Sequence, residues 1–225
     1  MADKIEKETL EVSLNRKLEK SKGMVFAVCS VVIVAIVAVA VVAAVKSKIT
    51  EKGIEQVDTI SYTLTNESKD LSDSDIAARQ NKALEELSSF TSKKGVVGLR
   101  ANMLSAEIKY AQKNYSEARD FWLKAAEAKK NAYTEPLCYY NAAVCSENLS
   151  DTESAISYYK AASEKEDFLL IDHALFSLGR VNEAAKKYDD AKAAYEKVGE
   201  LHSSSKWADL AKSRLIALSI AGSIQ

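Results

Sequence analysis

KYDDAKAAYEKVG, residues 187–199, carries an alanine at position 191, a tyrosine four residues later and a valine three residues beyond. The same order of small, aromatic and small residues occurs in NYSEARDFWLKAA (114–126) and SDTESAISYYKAA (150–162). Offsets of four and three residues place a triplet on one face of a helix. The triplets are Ala118-Trp122-Ala125, Ala155-Tyr159-Ala162 and Ala191-Tyr195-Val198, with a weaker copy at Ala83-Leu87-Phe90, and their alanines lie 35, 37 and 36 residues apart.

Each of these segments is predicted to be the second helix of a helical hairpin. A small residue lets another helix approach closely, and an aromatic ring four residues on fills the space beside it. The first helix of the last hairpin is LFSLGRVNEAAKKY, in which Gly179 lies twelve residues before Ala191. In CYYNAAVCSENLS, Ala143 lies twelve residues before Ala155.

Local signals mark where these helices begin. Asn114 with Glu117, and Ser150 with Glu153, have the spacing of a capping residue and the acid that answers it. Pro136 stands where a first helix starts, at a position that needs no N–H group. The segment KWADLAKSRLIAL (206–218) repeats the spacing of a first helix without a following partner. We therefore predict a terminal helix that covers the end of the stack.

Together these residues resemble the tetratricopeptide repeat, whose motif is W-x2-L-G-x2-Y, then A-x3-F, then P. The last unit matches at Leu175, Leu178, Gly179, Tyr188, Ala191 and Tyr195, and the unit before it at Tyr139, Ala142, Ala143, Ala155 and Tyr159. The resemblance covers about residues 75–220, although the terminal proline is absent and the period is about two residues long. It implies an all-α fold, an α-solenoid of three to four helical hairpins with a capping C-terminal helix. A closed helical bundle is the alternative.

The resemblance also implies a partner-binding groove, because the first helices of this family line a concave surface that binds peptides. The matching positions here are Leu137, Tyr140, Val144, His173, Phe176 and Arg180. They are mostly apolar or aromatic, which suits a hydrophobic segment or a partner's helix rather than a terminal carboxylate. The alternative is that Tyr140 and Phe176 pack against neighbouring repeats or against the C-terminal helix.

A different kind of segment precedes the repeats. Met24–Val45 is a run of 22 residues without a charged side chain, and as a helix it is roughly 33 Å long, enough to cross a bilayer core of about 30 Å. Its length exceeds that of a cleaved export signal, although Ala38-Val39-Ala40 resembles a cleavage site. A lipoprotein signal would place a small residue before Cys29, where the chain has Val28. We therefore expect an uncleaved transmembrane helix.

Basic residues indicate the orientation of this span. Six lysines and arginines precede it and three fall in the twenty residues after it, which favours a cytoplasmic N-terminus. The expected organisation is a cytoplasmic tail (1–22), a transmembrane helix (23–45), a juxtamembrane helix and linker (46–73) and a repeat domain (74–225). Residues 54–64 carry apolar side chains at helical spacing, so the helix is predicted to continue to about Thr65, followed by a polar loop, TNESKDLSDSD. This short linker keeps the repeat domain close to the bilayer.

Several function classes are disfavoured. The chain has a net charge of −1, which argues against a nucleic-acid partner. His173 and His202 stand apart from any metal-ligand spacing, and the sequence shows no catalytic triad pattern, GxGxxG or GxxxxGK motif. Cys138 and Cys145 lie two helical turns apart, too far for a disulfide within one helix, and are predicted to be buried apolar residues. We expect no enzyme activity, no cofactor and no metal.

The order of these segments resembles the single-span ancillary subunit of the bacterial SecYEG translocon, which carries a periplasmic tetratricopeptide domain. This resemblance implies a membrane-anchored interaction module or chaperone at the bacterial inner membrane, with the translocon or exported clients as partners. A structural scaffold in a cell-envelope or division complex is the alternative. A less favoured possibility is an import receptor that faces the cytosol.

Overall fold

The computed structural model describes residues 2–66, 71–165 and 167–224, together with the side chains of most of them. These residues form nine α-helices and no strand. The helices are α1 (Ala2–Thr65), α2 (Asp73–Thr91), α3 (Gly95–Ala111), α4 (Tyr115–Ala128), α5 (Glu135–Asn148), α6 (Thr152–Ala162), α7 (Ile171–Ala184), α8 (Tyr188–Leu201) and α9 (Lys206–Ile220). The predicted all-α fold is confirmed.

The chain divides into two compact units, Met1–Glu51 and Lys52–Gln225. In the first unit, the apolar part of α1 exposes its valine, isoleucine and phenylalanine side chains on all sides. The hydroxyl group of Ser30 donates a hydrogen bond of 2.8 Å to the carbonyl oxygen of Phe26, so the helix satisfies this group internally. Within the described residues, the segment Ser21–Thr65 of α1 is long and apolar enough to cross a membrane, with a mean hydropathy of 3.2 in its most apolar window.

In the second unit, helices α2–α9 pack in chain order, each against its neighbours, and residues 52–65 of α1 share a buried cluster with α2 and α3. Helix α1 ends at Thr65, where the apolar spacing of residues 54–64 predicted its end. The predicted polar loop is shorter than expected, because α2 already begins at Asp73; residues 67–70 of that loop lie outside the described residues.

The recurring triplets form the contacts between helices. All nine members of the three main triplets are buried, with at most 4% of any of them exposed. Gly179 of α7 faces the ring of Tyr195 on α8 so closely that an added Cβ atom would lie 2.5 Å from its Cε1 atom. Ala143 of α5 and Tyr159 of α6 belong to one buried cluster in the same way. The pattern of small residue and ring therefore sets the distance between the two helices of a hairpin.

The turns inside the three hairpins share one backbone geometry. Because of this geometry, the prediction that Ser150 caps α6 is wrong. Lys113, Ser150 and Lys186 adopt left-handed backbone conformations, with φ angles of 61°, 58° and 60°. The next residue in each turn donates its N–H group to the carbonyl oxygen five residues earlier, as in Asp151 to Ser146 at 2.9 Å. Because the turn uses Ser150 in this way, the cap of α6 is Asp151, whose carboxylate accepts the N–H group of Ser154.

Of the other local predictions from the sequence, some are confirmed and one is only partly confirmed. Asn114 precedes α4 as predicted, but its side chain makes no capping hydrogen bond. Pro136 lies in the first turn of α5, where it was expected. Cys138 and Cys145 are both fully buried and free, as predicted. Burial raises the pKa of Cys138 to about 12 and that of Cys145 to about 11, so both thiols stay protonated at neutral pH.

A polar network joins the last three helices. Glu183 of α7 accepts hydrogen bonds from the hydroxyl group of Tyr195, at 3.0 Å, and from the guanidinium group of Arg214, at 3.2 Å from its Nε atom. Burial alone would raise the pKa of Glu183, but the hydrogen bonds from Arg214 and Tyr195 and the positive charge outweigh it and lower the pKa below 4.5. The ionised carboxylate therefore holds α8 and α9 against α7.

We predict that Gly179→Ala destabilises the repeat domain by about 1–3 kcal/mol, because the buried ring of Tyr195 has to move away from the new methyl group. Gly199→Ala is the matched control, since an added Cβ atom there meets nothing within 4 Å, and it should be neutral or stabilise by up to about 1 kcal/mol. Urea unfolding followed by the fluorescence of Trp122 and Trp207 measures both. Equal unfolding midpoints for the two variants would contradict the close packing.

The Glu183 network predicts a dependence of stability on pH. A carboxylate with a lowered pKa in the folded state stabilises above its unfolded value of about 4.5, and loses that effect as the pH falls through the folded value. Glu183→Gln should therefore be less stable than the unmodified chain at pH 7, with a difference that shrinks below about pH 4.5. Urea midpoints at pH 7 and pH 3.5 test this, and a difference that stays constant would be evidence against it.

Candidate functional site

The six groove residues predicted from the sequence lie on two first helices, α5 and α7. Leu137, Tyr140 and Val144 occupy α5, and His173, Phe176 and Arg180 occupy α7. The first five are half-buried and Arg180 is exposed. The repeat continues into α9, where Trp207, Leu210 and Arg214 lie 34 residues after the α7 set. We call these nine residues the A-helix face.

Aromatic contacts connect the A-helix face from α5 to α9. The ring of His173 lies 5.3 Å from that of Tyr140 and stacks on Trp207 at 4.2 Å, both measured between ring centroids. Phe176 lies 5.3 Å from Trp207 and 5.5 Å from Tyr195. Tyr140 and Phe176 therefore pack against neighbouring repeats and against the C-terminal helix, as the alternative interpretation held, while each keeps part of its surface exposed. The rings form a continuous strip along the A-helix face.

His173 is held in its neutral form within this strip. Burial and the positive charge of Arg180 lower the pKa of His173 below 6.5, so the imidazole is uncharged at neutral pH. The hydroxyl group of Tyr140 lies 3.4 Å from both ring nitrogens of His173, at the long limit of hydrogen bonding. The residue thus serves as an aromatic surface rather than as a charge.

The charges beside the strip come from a motif that occurs twice. Glu147 of α5 accepts a hydrogen bond of 2.6 Å from the hydroxyl group of Tyr159, and pairs with Arg180 at 2.6 Å. Glu183, Tyr195 and Arg214 repeat this arrangement one hairpin later, on α7, α8 and α9. Each arginine leaves about half of its side chain exposed. Each hairpin's buried tyrosine is thereby linked to an arginine on the following first helix.

This Tyr–Glu–Arg motif and the role of Trp207 were absent from the sequence prediction. The signal was available, because Glu147 and Glu183 lie 36 residues apart, as do Tyr159 and Tyr195, and the arginines 34. The ring of the tyrosine is buried between two helices. Its hydroxyl group, at the far end of the ring, therefore comes within hydrogen-bond distance of the glutamate. Sequence spacing alone does not show that reach.

The A-helix face borders two hollows. One, of about 370 Å³, is lined by Phe176, Tyr195, Ala184, Glu183, Arg180 and Arg214. A larger one, of about 670 Å³, lies where Leu137 meets the turns before α5 and before α7. Both combine apolar floors with polar rims, which suits the docking of a side chain or a short apolar segment.

Across residues 2–66, 71–165 and 167–224, no three histidine, cysteine, aspartate or glutamate side chains come together in a way that could hold a metal ion. The carboxylates with the strongest contacts, Glu147 and Glu183, are already neutralised by arginines. What the arrangement offers is a preorganised surface for contact.

Comparison with known proteins agrees with this geometry. Residues 173–205, which span most of α7 and all of α8, match the family model of the tetratricopeptide repeat. A "TPR repeat-containing protein" of Treponema pallidum (strain Nichols) is 33% identical over 152 residues, which are 66% of this chain and 64% of that protein. The chain thus spans less than two thirds of the length of this curated relative.

A solved structure supports the fold. The crystal structure of the apo form of RapI superposes with a TM-score of 0.53 at 18% sequence identity, over 74% of this chain and 49% of that one. At this identity the likeness concerns the helical fold alone. Over residues 173–205 the chain is therefore similar to a tetratricopeptide repeat, and over 152 residues it is similar to a protein described as containing such repeats.

Proposed function

We propose that this chain is a membrane-anchored protein–protein interaction module, in which α1 is the single span and the A-helix face is the partner surface. The observation that carries the proposal is the strip formed by Tyr140, His173, Phe176 and Trp207, whose rings contact one another and are only partly covered. A preordered aromatic surface binds a partner without a large loss of conformational entropy. Repeats of this family are typically non-catalytic scaffolds, in keeping with this role.

The partner that fits best is an apolar segment. The floor of the strip is aromatic, and the exposed edges of Arg180 and Arg214 stand on one side of it. A segment that emerges across a membrane before it folds exposes apolar side chains of this kind. We therefore propose that the module acts as a chaperone for exported proteins, next to the SecYEG translocon, whose ancillary subunit the chain resembles in its order of segments.

The same proposal places the protein in the bacterial inner membrane, with residues 1–22 in the cytoplasm and the repeats in the periplasm. It is supported by the six basic residues before the apolar run against three after it. It is also supported by the length of that run, which suits a span rather than a cleaved signal.

The first test is photocrosslinking in intact cells. A photoreactive residue at Val144 lies on the A-helix face, and the substitution removes none of the ring contacts of that face. We expect it to form adducts with several exported proteins or with translocon subunits. The same photoreactive residue at Glu196, which is exposed on α8, is the control. It should yield at least about tenfold fewer adducts, because a binding contact worth about 1.4 kcal/mol changes occupancy tenfold. Equal yields at both positions would count against this surface.

Crosslinking also separates the two candidate roles. Many different adducts at Val144 indicate a chaperone, whereas a single stoichiometric partner, recovered as well by affinity purification with the span intact, indicates a scaffold in an envelope or division complex. The aromatic strip is compatible with either role, since both need an exposed surface for contact.

The second test determines orientation through cysteine accessibility. Ser203→Cys places a thiol in the exposed turn before α9, and Lys17→Cys places one before the span. Cys138 and Cys145 stay silent in this assay because they are buried and their pKa values are raised. An impermeant maleimide should label position 203 in intact spheroplasts, and position 17 only after permeabilisation. The reverse pattern would place the repeats in the cytosol.

A further inference from the structure

The first helices of the hairpins all begin at one edge of the repeat domain. Because successive helices run in opposite directions, α3, α5, α7 and α9 all begin at the same edge, after the turns between hairpins. Residue 52 lies at this edge too, since Gly53 is so close to α3 that an added Cβ atom would lie 2.9 Å from Cγ2 of Val97. We call the turns 92–94, 129–134 and 167–170 the loop edge.

The loop edge cannot be far from a bilayer that holds the apolar run. Six residues separate Val45 from Lys52 in the chain, and fully extended they reach at most about 25 Å. This limit is covalent and holds for any arrangement of the two units. The chain length therefore limits how far Lys52, and with it the neighbouring start of α3, can move away from a bilayer that holds the apolar run.

The charge of the loop edge suits an anionic surface. Lys93, Lys94, Lys129 and Lys130 are exposed there, against one exposed acid, Asp167, in the same turns, and each lysine near an anionic membrane surface adds attraction. The four helices that begin at this edge carry three acidic residues in their first turns, Glu135, Asp172 and Asp209. The four helices that begin at the opposite edge carry six. The helix starts at the loop edge thus carry fewer acidic residues than those at the opposite edge, which makes the loop edge the less repelled by an anionic surface.

Two apolar side chains project from the same edge. Tyr133 is 92% exposed and Leu169 is 97% exposed, more than any other large apolar side chain in the described residues. Both border the hollow of about 670 Å³, so they lie close to each other. Full exposure of such side chains has a cost in water, whereas tyrosine is favoured at the boundary between lipid headgroups and acyl chains.

We propose that the loop edge binds the surface of an anionic bilayer, with the four lysines against the headgroups and with Tyr133 and Leu169 in the interfacial layer. This inference rests on the proposed membrane anchoring by α1. It adds a second, reversible contact that orients the repeat domain and leaves the A-helix face free for partners, because the two surfaces share only the neighbourhood of Leu137.

The test uses the full-length chain in vesicles, with tryptophan as a depth probe. Tyr133→Trp and, as control, Leu149→Trp in the turn before α6 are each compared with the unmodified chain, whose Trp122 and Trp207 give the background. In phosphatidylglycerol vesicles that contain brominated lipid, we expect the added fluorescence to be quenched at position 133 and unchanged at position 149. In phosphatidylcholine vesicles, or at high salt, the quenching at position 133 should decrease.

Charge reversal provides the second arm. Lys129→Glu with Lys130→Glu should shift the equilibrium between bound and free loop edge on the order of thirtyfold towards the free state, from the attraction lost with two lysines. Lys113→Glu with Lys186→Glu makes the same change of net charge at the opposite edge and should leave the quenching unaltered.

Flotation of the chain with the vesicles separates this inference from the proposed anchoring. A chain that floats but shows equal quenching at positions 133 and 149 overturns the loop edge alone. A chain that does not float contradicts both proposals. Loss of quenching in the two charge variants alike would also overturn the inference, because it would reflect net charge and not this edge.

Discussion

The contact between a small residue on one helix and an aromatic ring on the next supports the whole repeat domain. Gly179 against Tyr195, and Ala143 in one cluster with Tyr159, bring the helices of a hairpin together at a distance that only a missing or minimal side chain allows. Since interiors are packed at crystalline density, the ring fixes both the spacing and the register of the pair. The left-handed residue in each connecting turn then closes the hairpin in a single way.

The same buried tyrosine rings also connect the core to polar groups at the surface. The hydroxyl groups of Tyr159 and Tyr195 emerge from the core and donate to Glu147 and Glu183. These carboxylates bind arginines of the following first helix, so each hairpin is coupled to the next. Trp122, at the equivalent place in the first hairpin, has no hydroxyl group. There the connection is made instead by Arg119 and Asp151, at 2.7 Å, which join α4 to the start of α6.

The apolar run imposes the other constraint on function. In hydrocarbon every backbone group needs a partner, which a helix alone supplies within one segment, and Ser30 obeys the same rule through Phe26. A module anchored in this way samples a thin layer next to the membrane. The proposed anchoring would restrict its partners to proteins or lipids of that layer, and this links the aromatic strip of α5, α7 and α9 with the lysines of the turns between hairpins.

The sequence by itself determined the all-α fold, the repeated hairpins, the burial of Cys138 and Cys145, the end of α1 at Thr65 and the first turn of α5 around Pro136, because each depends on residue type and spacing along one helix. It also named six positions of the A-helix face. Tertiary structure alone decided that Asp151 caps α6 in place of Ser150, that Trp207 completes the aromatic strip, and that Tyr–Glu–Arg links join the hairpins. These features depend on how one helix lies against another, which spacing within a single helix does not encode.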